Sequence, residues 1–157
     1  MIYYGLSRKS QIRDICEDVC EVLGKGSTGQ AVNMLVRTCA AETGMGTIKD
    51  PNFRKHGVGV MQIDEIPFYD AINRSRDVDL FNFQREFGIN LREVTHEESA
   101  FSPLISIGVA RLFYKLITPP FPVEIEAQAE YWKLRYNTVA GKGTVAHFLK
   151  SCAAHGV

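Results

Sequence analysis

Glu42, Gln62 and Asp64 carry the side chains best suited to acid–base and hydrogen-bonding chemistry, and all fall in one stretch, CAAETGMGTIKDPNFRKHGVGVMQID, from Cys39 to Asp64. Glu42 follows apolar residues at helical spacing (Val32, Leu35, Val36, Cys39 and Ala40) and precedes Thr43-Gly44, a pair that breaks a helix. A carboxyl in the last turn of a helix faces the negative end of the macrodipole. Its small neighbours Cys39, Ala40 and Ala41 give it little solvation. Both effects disfavour the ionised form, so the pKa of Glu42 is expected to rise. A carboxylic acid still protonated near neutral pH can give its proton to a glycosidic oxygen. The plain alternative is a surface glutamate near a helix end.

The string Gly57-Val-Gly-Val-Met-Gln-Ile-Asp64 follows, with Gln62 placed 20 residues after Glu42. Gly57 and Gly59 permit positive φ and the close approach of a ligand or another strand. With Val58, Val60 and Ile63 they predict a short β-ribbon lining a cleft. Gln62 offers an amide donor and a carbonyl acceptor to a sugar or to the acid. An ordinary strand with two turn glycines would carry the same G-x-G.

The segment resembles the catalytic segment of goose-type lysozymes and soluble lytic transglycosylases. In those families a Glu followed by Ser or Thr ends a helix, and a G-x-G-L-M-Q-[IV]-[DN]-like string follows it. The resemblance implies a mainly α, lysozyme-like α+β fold with its β-ribbon beside the active-site cleft. It implies a muramidase that cleaves the β-1,4 bond between N-acetylmuramic acid and N-acetylglucosamine in peptidoglycan glycan strands, without a cofactor or metal. Glu42 would be the general acid and Asp64 would position water. Thr43, Gly59, Gln62, Tyr136 and Asn137 would orient the acid or bind the sugars. Tyr136-Asn137-Thr138 and the glycines 141 and 143 resemble the A-Y-N-x-G segment whose Tyr approaches the acid; a core aromatic with a satisfied hydroxyl is the other reading of Tyr136. Trp132 reads as core rather than as a sugar platform. Ser106-Ile107-Gly108 and Arg111-Leu112-Phe113 loosely resemble the mid-domain helix start of these families.

Transglycosylases usually carry Ser-x-x-G-A before the G-L-M-Q string, whereas Phe53-Arg-Lys-His-Gly57 stands here. Asp64 matches the goose-type pattern, in which an inverting hydrolysis needs carboxylates roughly 6.5–9.5 Å apart to admit water. Asp50 is a second candidate for that role, at an offset that matches less well, and a solvated strand-end residue is the other reading of Asp64. Hydrolysis and intramolecular transglycosylation to 1,6-anhydro ends both stay open at this point. So does a non-catalytic wall-binding or virion structural protein on the same scaffold, since fold does not fix function. His56, Glu97, Glu98 and the set Glu124, Glu126 and Glu130 read as solvated.

The chain of 157 residues reads as a single domain over 1–157, long enough for a core. Its 18 basic and 18 acidic residues cancel, which leaves no basic field to drive nucleic-acid binding. No apolar run approaches the roughly 18 residues of a membrane span. The start MIYYGLSRKSQ lacks the pattern of a secretory signal. With the resemblance, this suggests a monomeric lysin made in a bacterial host cytoplasm and acting on the wall after release, or carried in a phage virion. Cys16, Cys20, Cys39 and Cys152 read as buried thiols rather than zinc ligands.

The elements that must position these residues follow from periodicity. Helices are expected over 7–23, from a Ser27 or Thr28 cap to about Ala41, over 67–73, 78–87, 103–117, 123–136 and 144–154. The helix 103–117 is apolar on nearly every side and suits the centre of a core. Thr118-Pro-Pro-Phe-Pro122 is the clearest break.

Overall fold

A computed structural model of the chain describes residues 1–50 and 56–157. The Phe53-Arg54-Lys55 departure from the transglycosylase pattern lies outside the described residues. Among those described, the chain is mainly α: α1 Ser10–Leu23, α2 Ala31–Thr43, α3 Glu65–Arg74, α4 Asp77–Phe87, α5 Pro103–Lys115, α6 Ile125–Trp132 and α7 Val145–His155. A 3-10 turn covers Glu97–Ala100, and a π turn, Lys133–Asn137, extends α6. None of the helices described is long and apolar enough to cross a membrane.

The centre is α5. Ser102 caps it by accepting from Ile105 N at 3.2 Å, and Pro103 opens its first turn, where a missing N–H costs nothing. Its sequence is apolar around most of the circumference, so it buries Ile105, Ile107, Val109, Leu112 and Tyr114 against α1, α2 and α3. The helix α1 presents Ile12, Cys16, Val19, Cys20 and Leu23 to the same core at spacings of three and four. In turn α2 packs against α1, α5 and α7, while α6 packs on α7. All four cysteines are buried and free, as the pattern of small apolar-like thiols suggested.

The end of α2 decides where Glu42 stands. Gly44 takes a left-handed conformation (φ 54°), and its N–H closes the last turn onto Ala40 O at 3.0 Å. The helix therefore runs to Thr43, two residues past the expected end, and Glu42 belongs to its final turn.

Three expectations need correction. Among the described residues the β-ribbon does not form: Val58 and Ile63 make one isolated bridge, with Val58 N donating to Ile63 O at 3.0 Å. Gly59 (φ 78°) and Gln62 (φ 51°) both turn left-handed between the bridge partners, so the chain closes as a tight loop and no ladder can extend. Neither Ser27 nor Thr28 caps α2; Gln30 precedes it with no side-chain cap, and the Thr28 hydroxyl donates to Phe121 O at 2.8 Å. The helix expected over 123–136 starts at Ile125, and beyond Trp132 it widens into the π turn.

Candidate active site

Glu42 is partly buried, and one of its oxygens is held. The indole Nε1 of Trp132 donates to Glu42 Oε1 at 3.0 Å. Trp132 is 1% exposed, so the core reading of this residue stands, but its polar edge points at the acid. Burial pushes the Glu42 carboxyl up to about 7; the Trp132 N–H pulls it back, and the Asp64 charge adds to the rise. The expectation of a raised pKa is thus met, with burial as the main cause.

Thr43 is 1% exposed, and its hydroxyl works inside the protein. It donates to Val60 O at 2.8 Å and accepts from Gly46 N at 3.3 Å. The end of α2 is thereby tied to the 57–63 loop and to the turn behind Gly44. Gly59 serves the same loop: a Cβ there would run into Ser99 O and come within 2.8 Å of Ser106 Oγ. The close approach that this glycine permits is to the 3-10 turn and α5. Met61 N donates to Ser106 Oγ at 3.1 Å and fixes the loop from the other side.

Gln62 Nε2 donates to Gly59 O at 3.0 Å and reaches Asp50 Oδ2 at 3.4 Å. Asp64 is exposed at the start of α3, where its side chain makes no cap. The Tyr136 hydroxyl donates to Met61 O at 2.6 Å, and its ring stacks on Tyr114 with centroids 5.1 Å apart. Burial, followed by the nearby Glu42 charge, raises the Tyr136 pKa well above the usual phenol value. Its hydroxyl is satisfied, as the core reading supposed, and it also stands in the field of the acid.

Gln62, Asp64, Pro67, Phe113, Tyr136 and Asn137, with Ile63 and Thr138 between them, line one pocket of about 170 Å³. Glu42 does not line this pocket; its tie to it is electrostatic, through Asp64 and Tyr136. Four of the residues singled out from the sequence, Gln62, Asp64, Tyr136 and Asn137, therefore share one concavity near the acid. His56, Glu97, Glu98, Glu124, Glu126 and Glu130 are exposed or at the surface, as expected for solvated groups.

Two residues that shape the site were not among the site residues read from the sequence: Trp132, which was read as core, and Lys133. Trp132 carried a signal, because a buried indole N–H must find an acceptor. Lys133 carried none. Its Nζ donates to Asn137 Oδ1 at 2.9 Å, Thr138 O at 2.8 Å and Gly141 O at 2.9 Å. It gathers the segment beyond the π turn, including Thr138 at φ 70° and ψ 169°, a region that a side chain strains to occupy. Such π turns recur at functional sites because the widened turn re-aims its side chains. Among the described residues, no three His, Cys, Asp or Glu side chains gather as a metal set.

Comparison with protein-family models, with curated proteins and with solved structures gives no match to this chain.

Proposed function

We propose that this protein is a peptidoglycan-degrading glycosidase, a muramidase cleaving between N-acetylmuramic acid and N-acetylglucosamine, with Glu42 as its general acid. One observation carries the reading. Glu42 is a helix-terminal carboxyl pushed up to about 7, one oxygen of which is already bonded to Trp132. The other oxygen, Oε2, is left to hold the proton at neutral pH and to pass it to a leaving-group oxygen. As the proton leaves, the Trp132 N–H strengthens its hold on the carboxylate that forms. Asp64, exposed on the wall of the neighbouring pocket, is the group available to place a water. Gln62 and Asn137 give that wall its amides, and Tyr136 its ring. The resemblance of 39–64 to goose-type lysozymes and lytic transglycosylases supports the same assignment. Peptidoglycan glycan strands are the proposed substrate.

The test is clearing of purified peptidoglycan by wild type and by Glu42→Gln, with mass spectrometry of the released fragments and circular dichroism of both proteins. Clearing by wild type and none by a folded Glu42→Gln supports the reading. Reducing-end products then mean hydrolysis, and 1,6-anhydro ends mean transglycosylation at the same bond. Failure of folded wild type to clear walls of several chemotypes overturns it in favour of a non-catalytic scaffold.

A further inference from the structure

A second cavity, of about 300 Å³, opens between the loop after α1 and the connection from α5 to α6. It shares no lining residue with the Asp64 pocket. Much of its wall is apolar or aromatic, from Ile117, Pro119, Phe121 and Tyr131, and its charged wall is Arg111 and Lys115 of α5.

Arg111 is the residue that needs explaining. It is only 4% exposed. Its Nε donates to Gly24 O at 2.9 Å, and Cζ stands 5.7 Å from the centroid of the Phe121 ring. Each of these partners is neutral. Among the described residues no carboxylate forms an ion pair with Arg111. Buried charges are ordinarily paired, because losing water costs a guanidinium more than neutral acceptors return. Burial accordingly lowers the Arg111 pKa from its usual value.

Asp79, the one acid whose charge acts on Arg111, does not pair with it directly. Asp79 acts on Arg111 from a distance, while its own oxygens accept from Arg76 Nε and Nη2, each at 3.2 Å, and from Lys115 Nζ at 2.9 Å. One carboxylate thus faces three cations, and no acid lines the cavity.

We propose that this cavity binds a small organic carboxylate, its charge against Arg111 and Lys115 and its apolar body against Phe121, Tyr131 and Ile117. A guanidinium fixed through Nε is a rigid planar donor suited to a carboxylate. The volume and the aromatic wall favour a compact organic body over a bare inorganic anion, which would leave that wall uncovered. The site is independent of the glycan-cleaving reading.

Titration of the full chain with benzoate, hexanoate and inorganic phosphate, followed by amide chemical shifts, tests it. Saturable binding of benzoate, with shifts at Arg111 and Phe121 and weaker binding of phosphate, is expected. Arg111→Met should abolish it. Because Arg111 stands in the core, Thr118→Glu provides a second variant: Thr118 is an exposed lining residue, and a repelling charge there should weaken benzoate about tenfold without disturbing the core. Absence of saturable binding by either carboxylate, equal binding of phosphate and benzoate, or an unchanged affinity in Thr118→Glu would each overturn the proposal.

Discussion

The indole N–H of Trp132 reaches Glu42 Oε1 at 3.0 Å across 90 residues of sequence, so the last turn of α6 holds the last turn of α2. Of the influences acting on Glu42, burial and Asp64 raise its pKa, and this bond alone lowers it. Trp132→Phe removes the donor and keeps an aromatic ring in place. The Glu42 pKa is expected to rise further above about 7, which a carbon-detected NMR titration of the carboxyl would read directly. A fall would mean that water enters the space left by the indole and solvates the acid.

The raised pKa has a cost in stability, and its sign follows from linkage. The folded protein holds the Glu42 proton up to about 7, whereas the unfolded chain releases it near 4.5. The folded state therefore binds more protons between those values, and stability falls as pH rises through that window. The full effect is of the order of 3 kcal/mol above pH 7. Glu42→Gln carries no such charge and can still accept from Trp132. It is expected to be more stable than wild type at pH 8 and close to it at pH 4, as urea unfolding at the two pH values would show. An equal difference at both would tie the effect to packing instead of titration.

Activity should follow the same group. If Glu42 is the acid, the rate of peptidoglycan clearing should decline as pH rises through about 7, since only the protonated form can donate. Wall turbidity assays over a pH series, at constant ionic strength, check this. A rate still rising at pH 9 would exclude Glu42 as the proton donor.

Much of this arrangement was legible in the sequence where it is local. The run Val32, Leu35, Val36, Cys39, Ala40 followed by Thr43-Gly44 marks a buried helix with a carboxyl in its last turn, and α2 has that form. The apolar circumference of α5 likewise announces a central helix. The G-V-G-V alternation misled, because the left-handed turn at Gln62 has no signal in its residue type; two such turns make a loop where alternation promises a ribbon. Neither the Trp132–Glu42 bond nor the π turn was legible. The first depends on how α6 lies against α2, and the second differs from an α-helix by one residue per hydrogen bond, a difference periodicity does not register.

Lys133 is expected to matter more than an ordinary lysine with a partly exposed side chain. Its Nζ bonds to Asn137 Oδ1, Thr138 O and Gly141 O hold a segment that contains the strained Thr138. Lys133→Met keeps the apolar stem and removes all three bonds. Amide exchange over 137–143 should speed up at least about tenfold, while α1 and α5 exchange as in wild type. Thr138→Gly in the same background should recover part of the order by relieving the backbone strain. Unchanged exchange over 137–143 would show that packing alone fixes the segment.

Thr43 offers the sharpest separation of shape from hydrogen bonding at this site. Thr43→Val is nearly isosteric, so the core contacts of this 1% exposed residue survive. What disappears is the donor to Val60 O and the acceptor for Gly46 N. Leaving such buried backbone groups without partners costs about 1–3 kcal/mol. The loss should show as a fall of several degrees in melting temperature, about 2–4 °C per kcal/mol for a chain of this size. The 57–63 loop, which carries Gln62, is tied to α2 through this hydroxyl. If the proposed glycan cleavage is this protein's activity, it should therefore drop along with stability even though Thr43 does not line the Asp64 pocket. Thr43→Ser restores the hydroxyl and gives up only a methyl group, so it should recover most of both. That pattern would show what the hydroxyl next to Glu42 does: it locks the loop to the helix end. Full activity in a folded Thr43→Val would instead show that the loop holds its position through Ser106 and Tyr136 alone.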